Sequence, residues 1–159
     1  MIIKIAYGAG IILSVLLILL SSLMFFMARQ SKSITNSGLI NEQLQACPDG
    51  PRCVNSLATN EMHSIAAFEV PQGMPDPVGT MTAIINNFPR TEIIVQNESY
   101  LHAAFSSALF GFVDDLEVLK DGDYLQVRSV SRVGRGDMGA NRKRVDALHE
   151  SWRQAILLP

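Results

Sequence analysis

Seven of the chain's cationic side chains fall between Arg128 and Arg153, and within that stretch residues 134 to 139 read GRGDMG. A Gly-x-Gly-x-x-Gly loop cradles a dinucleotide when it joins a parallel strand to a helix and a second strand carries an acid about twenty residues on. Here Gly139 is followed by only twenty residues, and an amphipathic helix uses nearly all of them. No second strand can follow, and the Gly-Lys-Ser/Thr ending of a phosphate loop is absent. The RGD triplet inside the run, Arg135 to Asp137, is three common residues. The plain role of Gly134, Gly136 and Gly139 is to turn a strand tightly into a helix. A weaker anion reading survives, because free amides and a helix dipole favour negative charge, and Arg132, Arg135, Arg142, Lys143 and Arg144 crowd that corner. A carboxylate, phosphate or lipid head group would suit it. The competing role for the same cations is structural pairing with Asp114, Asp115, Glu117, Asp121, Asp123 and Asp146.

Other residues invite catalysis more weakly. Ser106 or Ser107, His102 and Asp114 lie on neighbouring expected strands and would make a hydrolase triad. No sharp strand-to-helix elbow presents either serine, and a strand hydroxyl usually serves cross-strand packing. His63 and His149 have no visible partner. Asp114 stands out, since strand alternation puts it with Phe112, Leu116 and Val118 on an apolar face, where a carboxylate must find partners or take a proton. Ser129, and Arg132 or Arg142 from the closing segment, are the available partners. A satisfied core aspartate fixing the hairpin is the blander alternative.

The two cysteines, Cys47 and Cys53, flank a turn in CPDGPRC. The turn can bring them together as a disulfide, which persists on the oxidising side of a membrane; two reduced thiols beside a linker are the alternative. LQAC at Leu44 to Cys47 lies too far from the apolar segment for a lipoprotein cleavage box. Two cysteines and a distant His63 fall short of a zinc site, so neither metal nor cofactor is expected.

From Ile5 to Ala28 runs a stretch of 24 residues without a charge. As a helix it would be about 36 Å long, enough for a hydrocarbon core of roughly 30 Å. Residues 1–4 then form a short cytoplasmic tail, 5–28 a single-span anchor, 29–46 a polar linker and 47–159 the domain. A cleaved signal peptide fits less well, because its apolar run is shorter and Phe26 spoils the site before Ala28. Lys4 against Arg29 and Lys32 leaves the positive-inside count undecided, and the cysteines favour an extracytoplasmic domain. Without the first 32 residues the 13 basic side chains become ten against 15 acidic ones, so nucleic acid is not an expected partner.

Within the domain, PQGMPDPVG excludes regular structure after a short extended stretch at residues 65–70. Val78, Met81, Ile84, Ile85 and Phe88 then recur at helical spacing. TEIIVQN, SYLHAAFSS, GFVDDLEVL and YLQVRSVSRV read as four strands. Asp121-Gly122 is a hairpin turn, which pairs residues summing to 243 and so sets Asp115 opposite Arg128 and Asp114 opposite Ser129. Val145, Leu148, Trp152 and Ile156 form one stripe of a closing helix capped by Asp137. The expected fold is α+β: a four-stranded antiparallel meander flanked by a short and a long helix, preceded by one transmembrane helix.

Taken together, CPDGPRCVNS, YLHAAFSS, GFVDDLEVL and VRSVSRVGRGDMGANRKRV closely resemble the family known as domain of unknown function 1499. Its members show Cys-Pro-x-x-Pro-x-Cys-Val-x-Ser and Ser-Arg-x-Gly-x-x-Asp-x-Gly-x-Asn-Arg-x-Arg, and here the cysteine spacing is six. The resemblance firms the domain boundary from Cys47 to Leu157 and implies no activity.

The functional expectation is a non-catalytic, membrane-anchored module that binds an acidic or amphiphilic, lipid-like ligand or an envelope protein. Its candidate site is Asp114, Arg128, Arg132, Arg135, Asn141, Arg142 and Arg144. An envelope hydrolase using Asp114 and His102, or a purely structural membrane component, are the alternatives.

Overall fold

The computed structural model describes residues 2–35 and 37–157. Met1 of the expected tail, Asn36 of the expected linker and the last two residues of the expected domain lie outside them. The chain opens with helix α1, Ile2–Ser33, whose Gly10–Ser33 stretch is long and apolar enough to cross a membrane. Side chains from Ile11 to Leu20 on it are exposed, whereas Ala28 and Ser31 are buried against the domain.

Six strands form one antiparallel sheet: β1 Cys53–Asn55, β2 Phe68–Glu69, β3 Thr91–Gln96, β4 Tyr100–Ser106, β5 Val113–Asp121 and β6 Tyr124–Ser131. The order is β1-β6-β5-β4-β3, with β2 also on β6. The expected meander is therefore present as β3 to β6, extended at the β6 side by two short strands. Helix α2, Pro77–Asn86, begins with Pro77 after Asp76, whose carboxylate accepts from the Gly79 amide. Helix α3, Ala140–Leu157, is capped by Asp137, which accepts from the amides of Gly139 and Asn141.

Strand alternation gives the sheet two faces. On the inner face, Leu101, Leu116, Val118, Leu125 and Val127 meet Val78, Met81 and Ile85 of α2 and Val145, Leu148 and Trp152 of α3 in one core. On the outer face, Tyr100, His102, Asp115, Glu117 and Arg128 are also buried. Their cover is the segment before the domain. Residues 29–33 continue α1, and 37–46 lies on the sheet, with Gly38 donating to Glu117 and Leu44 buried. A disulfide joins Cys47 at the end of this strap to Cys53 of β1, with the Cα atoms 5.6 Å apart.

The hairpin register differs from the sequence expectation. Asp121 pairs with Tyr124, so the turn is Gly122-Asp123, with Gly122 at φ +55, and paired residues sum to 245. Asp114 therefore faces Ser131, and Glu117, in place of Asp115, faces Arg128. Glycine suits the first central position of a two-residue hairpin turn. A shift of two leaves every side chain on its face, so core patterning alone does not choose between the registers.

Candidate functional site

Chain direction brings three loops to the end of the sheet beside α1: residues 47–52 before β1, 107–112 between β4 and β5, and 132–139 between β6 and α3. The first and third interlock. Ser131 N–H donates to Arg52 O at 2.9 Å and Asp137 N–H to Pro51 O. Gly50, at φ +88, lies so close that a Cβ there would stand 2.7 Å from the Arg135 carbonyl oxygen. Only glycine fits that approach. The cysteine motif and the GRGDMG motif, 80 residues apart in sequence, are thus one structural unit.

Asn141, fully buried at the start of α3, is the hub of that unit. Its amide nitrogen donates to Asp137 Oδ2 at 2.7 Å and Ser131 Oγ at 3.0 Å, with Arg52 O at 3.1 Å. Its oxygen accepts from Ser129 Oγ and from Arg144. Donors on one side and acceptors on the other fix the amide's orientation. Arg144 then reaches Asp114, 2.7 Å from Nη2 to Oδ2, and lies 4.7 Å over the Phe105 ring. The carboxylate that alternation placed among apolar neighbours is satisfied from α3, by Arg144 in place of Arg132 or Arg142.

Above this polar floor lies a pocket of about 390 Å³. Met24 and Met27 of α1 form one wall, and Phe112, Val133 and Met138 form others; Asp114, Asp137, Ser107 and Ser131 contribute the polar part. The cavity is mostly apolar, and every charged residue lining it is acidic. It opens beside the apolar helix.

The outer face holds a second arrangement. Arg132 grips Asp115 through two bonds of 2.9 and 2.7 Å, and His102 Nε2 lies 2.8 Å from the same carboxylate. Because an ionised carboxylate only accepts, Nε2 carries the proton. Burial alone would raise the Asp115 pKa, but the hydrogen bonds from His102 and Arg132 and their charge outweigh it and hold the group down to about 2. Glu117 accepts from Arg128 and from the Tyr100 hydroxyl, each at 2.7 Å. Burial, with the adjoining Glu117 carboxylate, pushes the Tyr100 phenol above its usual range, so it remains a donor. Backbone groups of the cover close the layer: Ser31 O accepts from Arg132, and Ala46 O lies 3.5 Å from Arg128 Nη2.

The seven candidate residues therefore do not form one corner. Asp114, Asn141 and Arg144 meet on the inner face. Arg128 and Arg132 occupy the opposite face, because even-numbered β6 residues point outward there and Arg132, just past the strand's end, keeps that direction to reach Asp115. Arg135 is exposed on the loop, and Arg142 reaches the carbonyls of Glu61 and Met62 beyond α3. His102 and Asp114 lie on opposite faces too, which breaks the hydrolase triad; the partner of His102 is Asp115. Met24, Met27, Ser31 and Glu117 were missed as site residues, since nothing in their spacing announces that the helix returns to the sheet.

Fold and site define an α+β domain into which its own apolar leading helix is packed, with a pocket at the junction. The chain belongs to the protein family of unknown function DUF1499, which matches residues 43–151. No curated protein and no solved structure matches the chain at a significant level.

Proposed function

We infer that the protein is a single-pass, membrane-anchored binding module on the extracytoplasmic side, and that it receives an amphiphile in the pocket between α1 and the 133–138 loop. The observation that carries this reading is the composition of the pocket: methionines of an apolar helix on one side, and a floor of carboxylates and hydroxyls on the other. Flexible thioether side chains adapt to irregular apolar chains. Asp114 and Asp137 are its charged lining residues and, among the described residues, no cationic side chain lines it, so the pocket favours a head group that is uncharged or donates hydrogen bonds over the anion suggested by the arginine count.

Two further observations support the anchor. Ser31 and Ala28 are part of the domain's packing, and Ser31 Oγ accepts from the Val113 amide at 3.0 Å, so a cleaved helix would leave that surface bare. The Cys47–Cys53 bridge suits an oxidising compartment.

Native mass spectrometry of the full chain, released gently from membranes, tests the reading. An amphiphile adduct is expected on the wild type and is reduced at least tenfold in Met27→Trp, which fills the pocket without touching the polar floor. Equal adducts on both proteins would refute it.

A further inference from the structure

The stripe of α1 next to the pocket wall carries a different chemistry. Phe25, Arg29 and Lys32 are four and three residues apart, and with Ser33 and Phe110 they line a hollow of about 400 Å³. Arg29 and Lys32 are exposed, and no carboxylate among the described residues pairs with either. They stand where the charge-free stretch of the helix ends, at Ala28. Beside them, the 107–112 loop turns at Gly111, where a Cβ would stand 3.9 Å from the Lys32 side chain, and holds Leu109 out at 82% exposure. The companion loop at the same end of the sheet ends in Met138, 99% exposed, next to exposed Arg135. The opposite end, at Asn97–Ser99 and Gly122–Asp123, presents polar turns instead.

Apolar loop tips beside exposed cations, at the level where an apolar helix meets its first charges, match the boundary between acyl chains and phosphates. We propose that Arg29, Lys32 and Phe110 form a site for the head group of an anionic phospholipid, and that Leu109 and Met138 enter the interfacial layer, seating the domain on the bilayer. This rests on the anchor reading but not on the pocket's occupant: the head-group site shares no lining residue with the pocket, and of the two loop tips only Met138 also borders it. Near a membrane surface each such cation favours an anionic lipid roughly fivefold.

The full chain in bilayer nanodiscs of phosphatidylcholine and phosphatidylglycerol, some of it brominated on the acyl chains, provides the test. A fluorophore attached at Leu109→Cys is expected to be quenched by the bromines, and the same label at Glu98→Cys in the far hairpin is not. A label at Leu17→Cys reports whether the helix is in the bilayer at all. On extraction into mild detergent, phosphatidylglycerol is expected to be retained at least tenfold above its share in the disc, and Arg29→Gln/Lys32→Gln abolishes that enrichment. Quenching at residue 17 without quenching at 109 overturns the seat. Enrichment unchanged by the double substitution overturns the head-group site. No quenching at residue 17 removes the anchor reading itself, and this proposal with it.

Discussion

Glu117 and Arg128 stand directly opposite each other on β5 and β6, 2.7 Å from carboxylate to guanidinium, in a layer of the molecule closed to water. Closure is achieved by the strap at 37–46, whose Gly38 amide donates to Glu117. A charge pair so enclosed is costly to break, since removing one partner strands the other. Glu117→Ala is expected to destabilise the domain by about 3–5 kcal/mol, whereas an apolar pair of similar volume at both positions restores most of the loss. Thermal melting of the three proteins checks this, and an unperturbed single variant would mean the layer is wet.

Asp115 gives the layer an acid limit. Its pKa is depressed to about 2 from an ordinary 3.8, so the stabilisation it provides is complete above pH 3.8 and disappears as pH falls through 2. The term is on the order of 2 kcal/mol. Denaturant midpoints measured from pH 5 to pH 2 should fall in the wild type, and the slope should be shallower in Asp115→Asn.

The disulfide closes a short loop and contributes only about 2 kcal/mol to global stability. Its larger effect is local, because Cys47 ends the strap. Cys47→Ser/Cys53→Ser is expected to speed hydrogen exchange at the Gly38 amide by more than the global change accounts for. Exchange that accelerates uniformly would show that the strap is held by other contacts.

Asn141 joins β6, the Arg52 carbonyl, Asp137 and Arg144. Asn141→Leu leaves those groups without their partner, and a loss of roughly 2–4 kcal/mol is expected. Asp137→Ala removes the cap of α3 and should cost about 1 kcal/mol. Urea unfolding separates the two, with the larger shift at 141.

Much of this architecture is legible in the sequence. The periodicity of residues 78–88 and 140–157 gave both helices of the domain, and alternation in the four longer strands gave the faces, because the two-residue error in hairpin register does not turn a side chain over. β1, three residues long, is too short to display a period, whereas β2 falls within the extended stretch expected at residues 65–70. Of the outer ionic layer, the sequence offers Asp115 and Glu117 as pairing partners for the arginines but not a buried location, since Tyr100, His102, Asp115, Glu117 and Arg128 alternate with core residues as a solvated face would. What buries them is largely backbone: the Gly38 amide and the carbonyls of Ser31 and Ala46 are groups that any sequence supplies. The pocket was out of reach for the same reason. Met24 and Met27 look like any other residues of an apolar helix until the domain is found against them.

Photo-crosslinking addresses the occupied pocket most directly. The full chain, in membranes supplied with an uncharged amphiphile bearing a diazirine at its chain end, would be irradiated and its adducts mapped by peptide. Adducts on Met24 or Met27 together with the 133–138 loop, lost in Met27→Trp, are the predicted result. Adducts confined to the bare surface of α1 between residues 11 and 20, unchanged in that variant, would contradict it.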